Sequence, residues 1–145
     1  MDTVTTAETL IRQGHSCSQA MLAAFAPRYG LPAEFAIKLA TPFGGGMARH
    51  AEMCGAVTGA LLVLGLHAGG AVGTDLAAKE RTYALVHEFM LQFKQRRGSL
   101  NCRELLGFDL GNPEELRRAR EQGLFTSLCP LLVRDAAEIT AVLLQ

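Results

Sequence analysis

Four cysteines are the residues of this chain best suited to chemistry, and they are spread along most of its length: Cys17, Cys54, Cys102 and Cys129. Cys17 and Cys102 directly follow helix-capping signals, and Cys129 precedes a proline in the first turn of the predicted last helix. Cys54 lies in or near the first turn of a glycine-rich helix. A helix start carries free N–H groups and partial positive charge, which favour a thiolate over a thiol. The sequence therefore predicts four cysteines at or near helix starts, with lowered pKa values.

If these helix starts converge, they form a pocket lined by four sulfur atoms. Such a pocket suits an iron–sulfur cluster, a zinc ion or exchangeable disulfides. The chain has no CxxC spacing, so neither a thioredoxin-like motif nor a compact zinc knuckle fits. Three disulfide pairings are open, and one of them joins Cys17 to Cys54 and Cys102 to Cys129. The alternative is that each cysteine is simply a small buried apolar residue.

The segment that must position Cys54 runs from residue 43 to residue 66 and reads FGGGMARHAEMCGAVTGALLVLGL. Its three consecutive glycines predict a tight turn, because glycine adopts backbone conformations that other residues avoid. Gly55 and Gly59 are four residues apart and leave one helix face bare, so a second helix or a ligand could approach it closely. They are therefore candidate cofactor-binding positions beside Cys54.

The remaining elements are predicted from capping residues and from apolar side chains at helical spacing. The predicted caps are Thr5, Ser16, Thr74, Asn101 and Asn112. No segment shows the alternating pattern of a strand, and no internal repeat is present. The sequence therefore predicts an all-α fold, a compact single domain over residues 1–145. About six to eight helices would surround the glycine-rich central helix.

The charge and composition of the chain argue against a nucleic-acid partner and indicate the compartment in which we expect the protein. The chain has 14 Lys and Arg and 14 Asp and Glu, so it lacks the basic footprint of a nucleic-acid-binding protein. Its first residues lack a secretory signal pattern, so we expect a cytoplasmic location, where thiols stay reduced. Residues 53–74 carry no Asp, Glu, Lys or Arg, but the second half of this apolar run is interrupted by Gly65, His67, Gly69, Gly70 and Gly73. This segment is predicted to be a buried helix and loop, and peripheral membrane association stays open.

The segments around all four cysteines resemble those of a known family. CGAVTG at residues 54–59 is similar to the CGAxxG motif of the C…CGAxxG…C…C family, small proteins proposed to be redox-active. HSCSQA around Cys17, NCRELLG around Cys102 and the late Cys129 complete the likeness. Ala51 departs from it, since the family pattern has glycine there. The resemblance implies a redox role for the four cysteines, and a partner connected with membrane transport.

Three functions remain open from the sequence. The first is a redox protein whose cysteines hold an iron–sulfur cluster, or cycle between thiol and disulfide, in electron transfer. The second is a helical module stabilised by zinc. The third is a metal-free module that binds a redox partner, a transporter or a second copy of the chain. No general base is paired with a nucleophile, so the sequence predicts no specific enzymatic reaction.

Overall fold

Eight helices of five or more residues form the fold in the computed structural model, which describes residues 1–145. They span Thr3–Arg12, Cys17–Phe25, Ala33–Ala40, Gly55–Ala68, Leu76–Arg97, Cys102–Leu106, Pro113–Glu121 and Cys129–Leu143. Single helical turns lie at Ala26–Tyr29, Thr41–Phe43, Gly44–Met47 and Leu124–Ser127. The prediction of an all-α fold with about six to eight helices is confirmed. No helix combines the length and the apolar character needed to cross a membrane.

Some helix starts follow the predicted caps and others do not. Ser16 and Gln19 form the predicted capping box at the start of the helix Cys17–Phe25. Asn101 and Asn112 also cap the helices that follow them. The caps predicted at Thr5 and Thr74 are wrong, because Asp2 and Asp75 hold those positions and their carboxylates accept the helix N–H groups.

The central helix, Gly55–Ala68, packs closely against the helix Cys17–Phe25 through its two glycines. A Cβ atom at Gly59 would lie 2.7 Å from the Cβ of Met21, and one at Gly55 would lie 3.3 Å from the Cβ of Cys17. These distances leave no room for a side chain at Gly59. The predicted close approach along the bare glycine face is confirmed, and its partner is the helix that begins at Cys17.

The core lies between this helix pair, the long helix Leu76–Arg97 and the C-terminal helix Cys129–Leu143. Its largest fully buried side chains include Phe25, Phe89 and Phe93. The first helix packs on both the C-terminal helix and the helix Cys17–Phe25. This packing brings the starts of the helices that begin at Cys17 and Cys129 to the same end of the bundle.

Candidate functional site

All four cysteines lie at helix starts, as predicted. Cys17, Cys102 and Cys129 are each the first residue of a helix, and Cys54 is the N-cap of the central helix. All four line one cavity of ≈ 800 Å³, which we call the four-cysteine cavity. All four are free thiols. The structure therefore brings together the cysteines that 112 positions of sequence separate, from Cys17 to Cys129.

A short backbone pairing holds Cys54 beside Cys102. Met53 and Asn101 form an isolated antiparallel bridge. The Cys54 N–H donates to the Leu100 carbonyl at 2.8 Å, and the Cys102 N–H donates to the Glu52 carbonyl at 2.6 Å. Each cysteine follows a bridge residue, so the two are diagonal neighbours on one face of the pairing. No alternating pattern in the sequence indicated this bridge.

Cys17 and Cys129 form the second pair. The Cys17 and Cys129 thiols lie close enough in the cavity to change each other's pKa. This interaction lowers the pKa of Cys129 and outweighs the burial that opposes it. The same interaction, followed by burial, raises the pKa of Cys17 well above its ordinary value. A thiolate of this pair is therefore stabilised by the thiol of its partner.

Burial is the largest influence on the pKa values of the other two thiols. It raises the pKa of Cys54 to about 11, although the Ala56 and Val57 N–H groups act to lower it. It raises the pKa of Cys102 to about 12, helped by the nearby Cys54 and Cys129. The prediction that all four helix starts lower the pKa of their cysteines is therefore wrong for Cys17, Cys54 and Cys102. Only Cys129 follows it.

The sequence left three disulfide pairings open, and the structure shows which cysteines are neighbours in the cavity. The direct thiol interaction joins Cys17 to Cys129, and the backbone bridge places Cys54 beside Cys102. Pairing by chain order, Cys17 with Cys54 and Cys102 with Cys129, ignores that residues 51–54 run alongside residues 100–103. Disulfide formation itself stays a prediction.

The predicted glycine turn has an unusual backbone. Five consecutive residues, Gly45 to Arg49, have positive φ, and we call this segment the left-handed turn. Ala51 follows with φ +57. A non-glycine residue in this region costs about 1–2 kcal/mol. A glycine at position 51, which the family resemblance led us to expect, would adopt this conformation without strain, so the alanine there carries a local conformational cost.

The left-handed turn packs directly against one of the cysteines. A Cβ atom at Gly46 would lie 2.7 Å from the Cβ of Cys102, and 2.7 Å from the backbone nitrogen of Glu52. Gly46 also has φ +68, which favours glycine on conformational grounds. The glycine run thus lets the backbone approach the Cys102 side chain more closely than any other residue would allow.

Sequence reasoning missed the charged residues of the cavity. Arg12, Arg49 and Arg120 line it together with His15, and no Asp or Glu does. Gly55 lines it beside Cys54, whereas Gly59 packs on the neighbouring helix instead. The arginines lie far apart in the sequence, and of the three only Arg49 lies in the glycine-rich segment 43–66, so only the fold reveals that they share a cavity.

The arrangement of the side chains gives little support for a site that holds a metal ion. No group of three or more His, Cys, Asp or Glu side chains in the chain is arranged so that it could hold a metal ion. A structural zinc ion needs four such ligands around one point, so the zinc alternative lacks a ligand set here. An iron–sulfur cluster stays a prediction from the sequence, and its donors would be the four cavity thiols.

Comparison with known proteins agrees with the cysteine pattern. A family model described as "Putative redox-active protein (C_GCAxxG_C_C)" matches residues 15–143, which include all four cysteines and the left-handed turn. No curated protein and no solved structure matches the chain.

Proposed function

Because the chain belongs to the C_GCAxxG_C_C family of redox-active proteins, we propose that it exchanges thiols for disulfides through Cys17 and Cys129. The observation that carries this proposal is that both thiols stand at helix starts and line the same cavity. Their interaction there lowers the pKa of one thiol and raises that of the other. A dithiol with one ionisable member supplies both the attacking and the resolving sulfur.

The proposed reaction has two steps. The Cys129 thiolate attacks one sulfur of a substrate disulfide, the substrate S–S bond breaks, and a substrate thiolate leaves with one electron pair. Cys17 then attacks the Cys129 sulfur of the mixed disulfide and releases the second substrate thiolate. Its thiol proton passes to a leaving group. The substrate gains two electrons and two protons, counting the one from Cys129, and a Cys17–Cys129 disulfide forms.

Cys54 and Cys102 are less suited to the first attack, because their thiols ionise only at high pH. The pKa values of about 11 for Cys54 and about 12 for Cys102 leave little thiolate near neutral pH. The first attack therefore falls to Cys129. A reducing compartment such as the cytoplasm is part of the proposal, because its thiol pool would return the disulfide to the dithiol.

Two serine variants and a control test the proposal. Reduced protein is mixed anaerobically with the neutral reagent hydroxyethyl disulfide, and exchange is followed by intact mass. Cys129→Ser is expected to lose at least about tenfold in rate, since it lacks the ionisable thiol. Cys17→Ser is expected to accumulate a mixed disulfide on Cys129. Cys54→Ser is the control and should exchange normally. Full activity of Cys129→Ser, or no trapped adduct in Cys17→Ser, would contradict the proposal.

An iron–sulfur cluster is a second candidate, favoured by one observation: all four cysteines line the same cavity. Thiolates are the usual ligands of such clusters, and the four helix starts would add N–H groups near the sulfurs. The cluster would supply one-electron transfer, with the four cysteines as its ligands. Anaerobic reconstitution with iron and sulfide, read by visible absorption, separates it from thiol exchange. A colourless protein with four titratable thiols would rule it out.

Partner binding is supported by exposed apolar side chains away from the cavity. Phe35 and Leu39 lie one helical turn apart and are 49% and 57% exposed. Such a stripe could contact a redox partner, a transporter, a second copy of the chain or the surface of a membrane. We propose it as an addition to the thiol chemistry, to be tested by the oligomeric state of a Phe35→Ser/Leu39→Ser variant.

A further inference from the structure

The cavity that holds the thiols has a charge of one sign only. Besides the four cysteines, its ionisable lining consists of three arginines and one histidine, with no carboxylate. We propose that it takes a small disulfide that carries carboxylate groups. This inference rests on the proposed thiol–disulfide exchange and names the class of its substrate.

Two of the arginines are free to bind an anion. No carboxylate lies within ion-pair distance of Arg49 or Arg120, whereas Arg12 pairs with Glu8 at 3.2 Å. A guanidinium presents several N–H donors in a planar fork that matches a carboxylate, and the paired hydrogen bonds are strong and directional. An arginine with no internal partner, beside a reactive thiol, is suited to hold the charged end of a substrate.

The position of Arg49 is built into the backbone. It ends the left-handed turn with φ +68, a conformation that non-glycine residues rarely adopt. A Cβ atom at Gly45 would lie 2.9 Å from the Cγ of Arg49, and one at Gly111 would lie 3.1 Å from its carbonyl oxygen. Two glycines therefore make room for this arginine. Strained backbone of this kind is concentrated at ligand-binding sites.

The size and depth of the cavity favour a small molecule over a protein disulfide. Its volume of ≈ 800 Å³ lies within the range of about 300–1,000 Å³ that is typical of small-ligand sites. Cys129 is only 6% exposed, so its sulfur is reached from within the cavity. A small disulfide with apolar linkers fits a cavity of this volume, whereas a disulfide on the surface of a folded protein brings the bulk of that protein with it. Leu105, Phe125 and other apolar side chains of the lining would contact those linkers.

The test compares three small disulfides of similar length and different charge. Dithiodipropionate carries two carboxylates, hydroxyethyl disulfide is neutral, and cystamine carries two ammonium groups. Anaerobic exchange rates of the reduced protein are divided by the rates for free dithiothreitol, which removes the intrinsic reactivity of each disulfide. For the wild-type chain we expect dithiodipropionate to exchange about tenfold faster than the neutral disulfide, and cystamine to be the slowest.

The variants identify the groups responsible. Arg49→Gln/Arg120→Gln should lose most of the preference for dithiodipropionate, measured in that variant as the ratio of its rate with dithiodipropionate to its rate with the neutral disulfide. Arg120→Gln alone leaves the left-handed turn intact and should lose about half of the preference on a logarithmic scale. Arg81→Gln, an exposed arginine outside the cavity, is the matched control and should keep it.

Two results would overturn the inference: equal relative rates for the three disulfides, or a preference that survives in the double variant. The proposed function fails differently, because a wild-type chain that does not exchange even the neutral disulfide lacks the chemistry itself.

Discussion

Replacing Gly46 by alanine tests whether the left-handed turn must approach Cys102 as closely as the structure has it. The added Cβ would lie 2.7 Å from the Cβ of Cys102 and 2.7 Å from the backbone nitrogen of Glu52. Carbon atoms of side chains do not come this close, so the turn or the Cys102 helix must move. Because one neighbour is backbone, a change of side-chain rotamer alone cannot relieve the contact.

The expected cost has two parts. At φ +68 an alanine carries about 1–2 kcal/mol of left-handed strain. Reduced freedom of the unfolded chain returns about 0.4–1 kcal/mol of this, so the conformational part is about 1 kcal/mol. Overpacking against Cys102 and Glu52 adds about 1–3 kcal/mol. Gly46→Ala should therefore lower the free energy of unfolding by about 2–4 kcal/mol.

A second glycine provides the control for the conformational part. Gly98 has φ +84, and a Cβ placed there meets nothing within 4 Å. Gly98→Ala should cost only the conformational part, about 1 kcal/mol. Both variants are compared by urea unfolding in the presence of a reductant, so that thiol oxidation does not contribute. If Gly46→Ala costs no more than Gly98→Ala, the close contact with Cys102 does not exist, and the described site geometry is refuted.

Three further predictions follow from the same distances and pKa shifts. In the central helix, Gly59→Ala should destabilise by about 1–3 kcal/mol through overpacking, whereas Gly65→Ala, with open space around it, should stabilise by about 0.5–1 kcal/mol. The measurement is the melting temperature of each variant. A shift in the same direction for Gly59→Ala and Gly65→Ala would contradict the glycine-face packing. Ala48→Gly should stabilise by about 0.5–1 kcal/mol by removing left-handed strain at φ +52, whereas Ala77→Gly on the exposed face of the long helix should cost about 1 kcal/mol. If Ala48→Gly and Ala77→Gly lower the free energy of unfolding in urea by the same amount, position 48 is unstrained. Since burial raises the pKa of Cys54 from 9.0 to about 11, its stabilising contribution is complete below pH 9 and is lost as pH rises towards 11. At pH 10.5 the wild type should have lost about 2 kcal/mol more than Cys54→Ala relative to pH 8, and equal losses would contradict the burial.

Helix starts were predicted correctly at some capping residues and wrongly where a nearby aspartate capped the helix instead. Ser16 and Gln19 formed their capping box as predicted. Thr5 also has a glutamate three residues later, but the helix begins earlier, and the Thr5 N–H donates to the Asp2 carboxylate at 2.7 Å. Thr74 lost its position to Asp75 in the same way. The sequence shows which residues can cap, but tertiary packing selects among neighbours that differ by a few tenths of a kcal/mol.

The arrangement around the cavity was less predictable, for two physical reasons. The bridge between Met53 and Asn101 is a single residue pair, too short to impose a two-residue period on the sequence. The left-handed turn includes Met47, Ala48 and Arg49, whose intrinsic preferences oppose positive φ. Only the three glycines and the family glycine at position 51 indicated unusual backbone. Both features depend on contacts between segments that are distant in the sequence. Those contacts offset the local conformational cost of the left-handed turn.

The thiol pKa values depend on burial and on neighbouring thiols as well as on the helix start. At Cys54 the predicted local effect is present, because the Ala56 and Val57 N–H groups do lower its pKa. Burial nevertheless outweighs them, and the sequence does not reveal how deeply a given helix start is covered. Cys129 is also buried, yet its pKa falls because the Cys17 thiol lies beside it. A helix start alone therefore does not make a cysteine reactive in this fold. In the proposed exchange the attacking thiol belongs to the Cys17–Cys129 pair, and the packing of the first and last cysteine helices brings the two members of this pair together at one end of the bundle.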